Sequence, residues 1–320
     1  MNRRGKVWMI IAAVLVVIGL GLFVCVMSLN HWDFSRLGTK KFEENTFEIS
    51  ERFSNIKINT KTADISFEVS DDKSCRVVTY DGEKVKYSVS VRDDALTVSV
   101  KDNRKWYDHI GILTRSPKVT VYLPEDKYEA LAISESTGDI RLPKEFSFGN
   151  VELNLSTGDV DCNAAVKGKL CIQASTGDLK VRDMSASEID LTVSTGDVNV
   201  QSVSCAGKIA IRVSTGDVKL TDVTCGSLDS RGSTGDINLK NVLAEELVTI
   251  KRSTGNVKLS GSDAGELEIG TSTGDVTGSL RSSKIVLAKS DTGDIHVPEE
   301  VSGGKCKITT STGDIRISFE

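Results

Sequence analysis

Apolar residues in this chain follow two unlike patterns. Val7–Leu29 is a run of 23 residues without a charge, and at about 1.5 Å per helical residue it is long enough to cross a bilayer core. From Leu131 onward the apolar residues come instead in pairs two apart, the period of a strand that buries every second side chain. Between the pairs stands the tetrapeptide Ser-Thr-Gly-Asp or a close variant, ten times over, with its glycine at 138, 158, 177, 196, 216, 235, 255, 274, 293 and 313. The intervals are 19 or 20 residues, a repeat length that predicts a solenoid in which each repeat is one coil.

Counted from each glycine, four columns are apolar. Two residues after it run Ile140, Val160 and Leu179 through to Ile315, and four after it run Leu142, Cys162 and Val181 through to Ile317. Seven before it run Leu131, Val151 and Leu170 through to Cys306, and five before it run Ile133, Leu153 and Ile172 through to Ile308. Each coil is therefore expected to carry two short inward-facing strands, with a tight corner at the glycine. Gly supplies a positive φ there, and the following Asp can bond its own backbone. Nineteen residues at about 3.3 Å each suit a flattened coil with two main faces. The irregular stretches 143–150, 163–169 and 201–208 hold the length variation and read as a loop on one edge.

The chain before the repeats divides by the same reasoning. Residues 1–6 carry Arg3, Arg4 and Lys6, which places the N-terminus in the cytoplasm, the helix 7–29 across the membrane and the remainder outside. A cleaved signal peptide is the competing reading, but its apolar core would be shorter and would end in a small-x-small site. No small residue stands directly before Cys25 to make a lipoprotein signal. Residues 30–41 form a spacer. Residues 42–130 form a β-rich cap: 61–65 (Lys-Thr-Ala-Asp-Ile) is a degenerate corner with Ala63 in the glycine slot, 85–91 and 95–100 make a hairpin, and 119–123 is a further strand. Residues 131–320 form the solenoid. The fold class is all-β, a parallel solenoid of about ten coils with an N-terminal cap, preceded by one transmembrane helix.

Composition narrows the function more than it defines it. A net charge of -5 argues against nucleic-acid binding, which needs clustered cations. Three histidines, His31, His109 and His296, are too scattered for a histidine-built active site. Aromatics are only 5% of the chain, as expected of a core made from thin, aligned layers of Val, Ile and Leu. Among seven cysteines there is no zinc spacing. Cys162 and Cys306 take ladder positions and read as small buried apolar residues. Cys205 and Cys225 share one offset on neighbouring coils, close enough for a disulfide in an oxidising exterior, although stacked in-register strands present poor disulfide angles.

With its anchor, its degenerate corner at 62–65 and its serial Ser-Thr-Gly-Asp-Val/Ile copies, the chain resembles a family of uncharacterised bacterial envelope proteins with β-strand repeats, provisionally labelled adhesins. The resemblance implies a membrane-tethered β-solenoid. It loosely implies a role in adhesion or envelope stress, and it supplies no catalytic residues.

Four features invite a chemical reading. The row Asp139, Asp159, Asp178, Asp197, Asp217, Asp236, Asp275, Asp294 and Asp314 has the look of a calcium track, yet Asn256 fills the same slot and a structural turn explains it better. Arg141, Lys180, Lys219, Lys258 and Arg316, two residues further on, can offset those carboxylates. Asp291-Thr292-Gly293 matches the aspartic-protease triplet but is a repeat variant without a second copy. The Thr137, Thr157, Thr176, Thr195 column could form a hydroxyl surface for glycan or ice, although such columns more often hydrogen-bond along the stack. No catalytic, cofactor-binding or metal-binding residue is assigned, and an enzyme is not expected. The expected role is a binding or scaffolding surface for a cell-wall polymer, another envelope protein or a neighbouring solenoid. The alternatives are an accessory regulator that contacts a membrane stress sensor and, less favoured, a polysaccharide-active enzyme.

Overall fold

The computed structural model describes residues 3–29, 31–32, 42–82, 84–103 and 117–320. The expected spacer, apart from residues 31–32, lies outside the described residues, as does His109. Among the described residues a single α-helix, Arg3–Leu29, contains the apolar span Val7–Leu29, which is exposed apart from Met27. Its length and composition fit a single-pass membrane anchor or a signal sequence.

The other regular structure described is β, and from Lys127 it is a parallel solenoid. The four apolar columns face inward as expected: residues two after the glycine are at most 1% exposed in nine of the ten coils. Neighbouring coils pair in register, as with Val151↔Leu170 and Val160↔Leu179. Cys162 and Cys306 sit fully buried in these columns. The few aromatics gather near the N-terminal end, where Phe67, Phe146, Phe148 and Tyr128 pack on one another.

The structure departs from the two-strand coil in one respect. In five consecutive coils, the stretch expected to be a loop is a third strand. Asp183, Ser202, Asp222, Asn241 and Gly261, each six residues after its corner glycine, have φ between 52° and 56°. Asp, Asn and Gly accept this left-handed conformation more readily than other residues. The turn they make points Met184, Val203, Val223, Val242 and Ser262 inward, followed two residues later by Ala186, Cys205, Cys225, Ala244 and Ala264. These coils are three-sided, and the variable residue is confined to the third corner, where the register shifts between Cys205 and Lys208.

The stacking order also departs from chain order. The strand Val257–Thr273 pairs with Gly304–Thr312, which in turn pairs with Lys284–Thr292. The last coil in sequence is thus wedged between the Gly274 coil and the Gly293 coil, and the latter forms the end of the rod. At the other end the degenerate corner is a true coil. Asn55–Asn59 lies between Ala95–Asp102 and Lys127–Thr137, and Asp64–Val69 lies between Lys118–Leu123 and Ile140–Leu142. The 85–91 and 95–100 segments do form a hairpin, turned by Asp93 and Asp94 at φ of 49° and 61°.

Candidate binding surface

The Ser-Thr-Gly-Asp corner is the feature repeated most faithfully, and its geometry explains each residue. The corner glycines have φ from 128° to 151°. A Cβ on any of them would lie 1.9 to 2.1 Å from the carbonyl oxygen of the neighbouring corner residue. No side chain fits so close an approach. The glycine N–H donates to the Thr carbonyl of the next coil, as Gly177 does to Thr195 at 3.0 Å.

The Asp side chain does not fold back on its own backbone, as the sequence suggested. Its Oδ1 accepts the backbone N–H of the residue in the same slot of the adjacent coil. Ten such bonds, 2.7 to 3.1 Å long, run from Asp64 through Asp139, Asp159, Asp178, Asp197, Asp217, Asp236, Asn256, Asp275 and Asp314 to Asp294. Asn256 takes part through its own Oδ1, which is why the amide substitutes for the acid there. Among the described residues only Arg316 pairs with a carboxylate of this row, Asp314 at 2.7 Å. Arg141, Lys180, Lys219 and Lys258 make no such pair. The row is held by backbone donors. Among the described residues no group of three or more His, Cys, Asp or Glu is placed to hold a metal ion.

Beside this row the corner Thr is exposed in all ten coils and the corner Ser in the nine coils that have one. Thr137↔Thr157, Thr176↔Thr195 and Thr215↔Thr234 are register partners, so the residues form two straight columns at a coil spacing of about 4.8 Å. No hydroxyl of these columns hydrogen-bonds along the stack among the described residues, contrary to the usual behaviour of such columns. Their donors and acceptors face solvent. Asp291, the protease-like Asp, occupies the Ser slot of the Gly293 coil, is exposed, and pairs with Lys289 at 3.0 Å.

The broad face next to the ridge carries charges that satisfy one another. Lys169 reaches Glu188 at 2.8 Å and Asp190 at 3.7 Å, Arg212 reaches Asp190 at 3.0 Å, and Asp229 bridges Lys208 and Arg231. Exposed pairs of this kind contribute little stability each, but they leave few free charges on that face.

Cys205 and Cys225 are register partners, as their shared offset predicts, but both are buried free thiols with no disulfide between them, and burial raises their pKa, that of Cys225 to about 12. Two buried features escaped the sequence reading. Arg252 is 5% exposed and donates from Nη1 to the Val213 carbonyl at 3.0 Å, crossing the space left by Gly232. Glu135, 4% exposed, accepts the Thr137 N–H at Oε1, while its Oε2 and the buried Thr60 hydroxyl have no partner among the described residues. Burial pushes the Glu135 carboxyl up to about 7. All of these groups except the cysteines stand three residues before a corner, a fifth inward column that is apolar from Leu155 to Val213 and polar toward both ends. The sequence signal was present in the repeat alignment at that offset.

A protein from Bacteroides fragilis, provisionally described as an adhesin, has a solved structure similar to this chain, with 14% identity over 87% of this chain and 97% of its own and a TM-score of 0.37. One from Parabacteroides distasonis, provisionally described as lipid-binding, has 13% identity over 88% of this chain and 98% of its own, with a TM-score of 0.46. A second from that organism, provisionally described as an adhesin, has 14% identity over 88% and 98%, with a TM-score of 0.34. No curated protein matches the chain. The profile of one family matches it twice, over residues 53–211 and 206–320. The chain belongs to the Toastrack DUF4097 family.

Proposed function

We propose that the chain is a non-enzymatic protein of the bacterial cell envelope, held in the membrane by Val7–Leu29 with its N-terminus cytoplasmic, whose solenoid is a binding or scaffolding surface outside the membrane. The observation that carries this reading is the double column, Thr in ten coils and Ser in nine, whose hydroxyls make no bond along the stack and lie beside a face whose charges already pair. A repeating array of this kind suits a repeating ligand with hydroxyl or amide groups, such as a cell-wall polymer. The Asp row supports this role as a clamp that holds the columns in register.

In-cell photo-crosslinking tests the reading. A photoreactive residue at Ser194 on the ridge is expected to give discrete adducts with envelope polymer, whereas one at Ser204 on the third strand gives few. Adducts with one integral membrane protein would favour the regulatory role instead. Protease treatment of intact cells checks the location: cleavage of the solenoid is expected, and complete protection would contradict an exterior position.

A further inference from the structure

The two ends of the rod are finished differently. At the N-terminal end the outermost parallel strands are covered by the chain itself: Ala95–Asp102 by Val85–Arg92, and Lys118–Leu123 by Cys75–Gly82, which is covered in turn by Phe42–Ile49. At the other end Lys284–Thr292 is paired on one side only among the described residues. Outside the segment around the N-terminal helix, the exposed large apolar residues among the described residues are Leu247, Leu287, Ile295 and Val301, and the last three belong to this terminal coil. Ile295 is 42% exposed at a position that the nine other coils bury to 1% or less. In interior coils the glycine N–H and the N–H two residues on donate to the next coil. At Gly293 and Ile295 no coil among the described residues accepts them.

We propose that this end pairs with the same end of a second copy, with Lys284–Thr292 antiparallel to its own counterpart. Symmetry and charge select that occupant. Phe42–Ile49, outermost at the N-terminal end, is also paired on one side only among the described residues, but a head-to-tail contact would leave an open edge on every added copy, whereas a same-end contact closes at two. Lys289 and Asp291 alternate along the exposed edge, with side chains 74% and 58% exposed. A two-fold axis at Ser290 sets Lys289 opposite Asp291 of the second copy, twice over, the arrangement that stabilises cross-strand pairs. With that axis 288–292 of the two copies pair, and Leu287 lies beside the Gly293 corner of the second copy. Pro298, Glu299 and Glu300 guard the opposite side of the coil against strand addition, which confines the contact to Lys284–Thr292. The pairing holds whatever the Ser/Thr columns bind.

The test uses the full chain in detergent with Cys25→Ser as background. Chains carrying Lys289→Cys and chains carrying Asp291→Cys are mixed and oxidised. The mixture is expected to yield at least about fivefold more disulfide-linked dimer than either variant alone, because like positions sit two residues out of register. Leu287→Lys combined with Ile295→Lys is expected to abolish that dimer while the β-type circular dichroism is kept. Equal yields in the mixed and single samples, no dimer in either, or a dimer that survives the double Lys substitution would overturn the proposal.

Discussion

The backbone N–H of Asp294 donates to Oδ1 of Asp314 at 2.8 Å, while the N–H of Asp314 donates to Oδ1 of Asp275, also at 2.8 Å. The chain thus passes its final coil back between two coils already laid down, and a similar interleaving of Asn55–Asn59 occurs at the other end. Both ends of the solenoid are closed around a strand that neighbours on each side hold in place. Truncation after residue 303 therefore removes more than a terminal rung. It deletes Cys306, Ile308, Ile315 and Ile317, all buried, and strips Lys284–Thr292 of its only described partner. The expected loss is about 6 kcal/mol or more from the buried side chains alone. Hydrogen exchange is the check: amides of 284–292 are expected to lose protection along with the deleted coil, and retained protection would mean that the two coils stack in chain order.

The Asp clamp predicts a contrast between two substitutions at one position. Asp217→Asn keeps an oxygen to accept the Asp236 N–H, as Asn256 already does in its own coil, and is expected to be neutral within about 0.5 kcal/mol. Asp217→Ala removes the acceptor and is expected to cost about 1 kcal/mol. Urea unfolding of the two variants measures the difference, and chelator treatment of the parent chain is expected to leave both stability and circular dichroism unchanged.

At the corner itself tolerance ends. Gly196 has φ of 143°, and a Cβ there would stand 2.0 Å from the Gly177 carbonyl oxygen. Backbone strain and overlap act together, so Gly196→Ala is expected to cost at least about 3 kcal/mol. The same unfolding measurement checks it.

These corners mark how far the sequence could be read. The period, the four apolar columns and the need for glycine are properties of single positions repeated ten times, so they are visible without coordinates. The third strand was harder to read, because Asp183, Ser202 and Gly261 share a backbone conformation but no chemistry, and their inward neighbours range from Met184 to Ser262. The wedged final coil left no mark at all, since the Gly293 and Gly313 repeats obey the same offsets in either stacking order. For the surface, the Ser/Thr columns were evident, but their freedom from bonding along the stack depends on side-chain geometry. So does the choice of backbone donors, instead of Arg141 or Lys180, as partners of the Asp row.

Glu135 predicts a pH dependence. Its carboxyl is pushed up to about 7 by burial, against about 4.3 in an unfolded chain. Between those values the folded state holds a proton that the unfolded state has released. Stability therefore falls as pH rises from about 4.3 to about 7, by on the order of 3 to 4 kcal/mol, and is level above that. Glu135→Gln is expected to remove this contribution, which thermal unfolding across that range checks by comparing the slopes of the two proteins.

The central claim, that the exposed Ser/Thr columns form the binding surface, is tested most directly by sedimenting the purified chain with isolated cell envelopes. The parent chain is compared with a variant carrying Ser175→Glu, Ser194→Glu, Ser214→Glu and Ser233→Glu. The parent is expected to sediment with the envelopes, and the variant, with unchanged circular dichroism, to bind at least about tenfold more weakly, a difference of about 1.4 kcal/mol. Equal binding by the folded variant would contradict the claim.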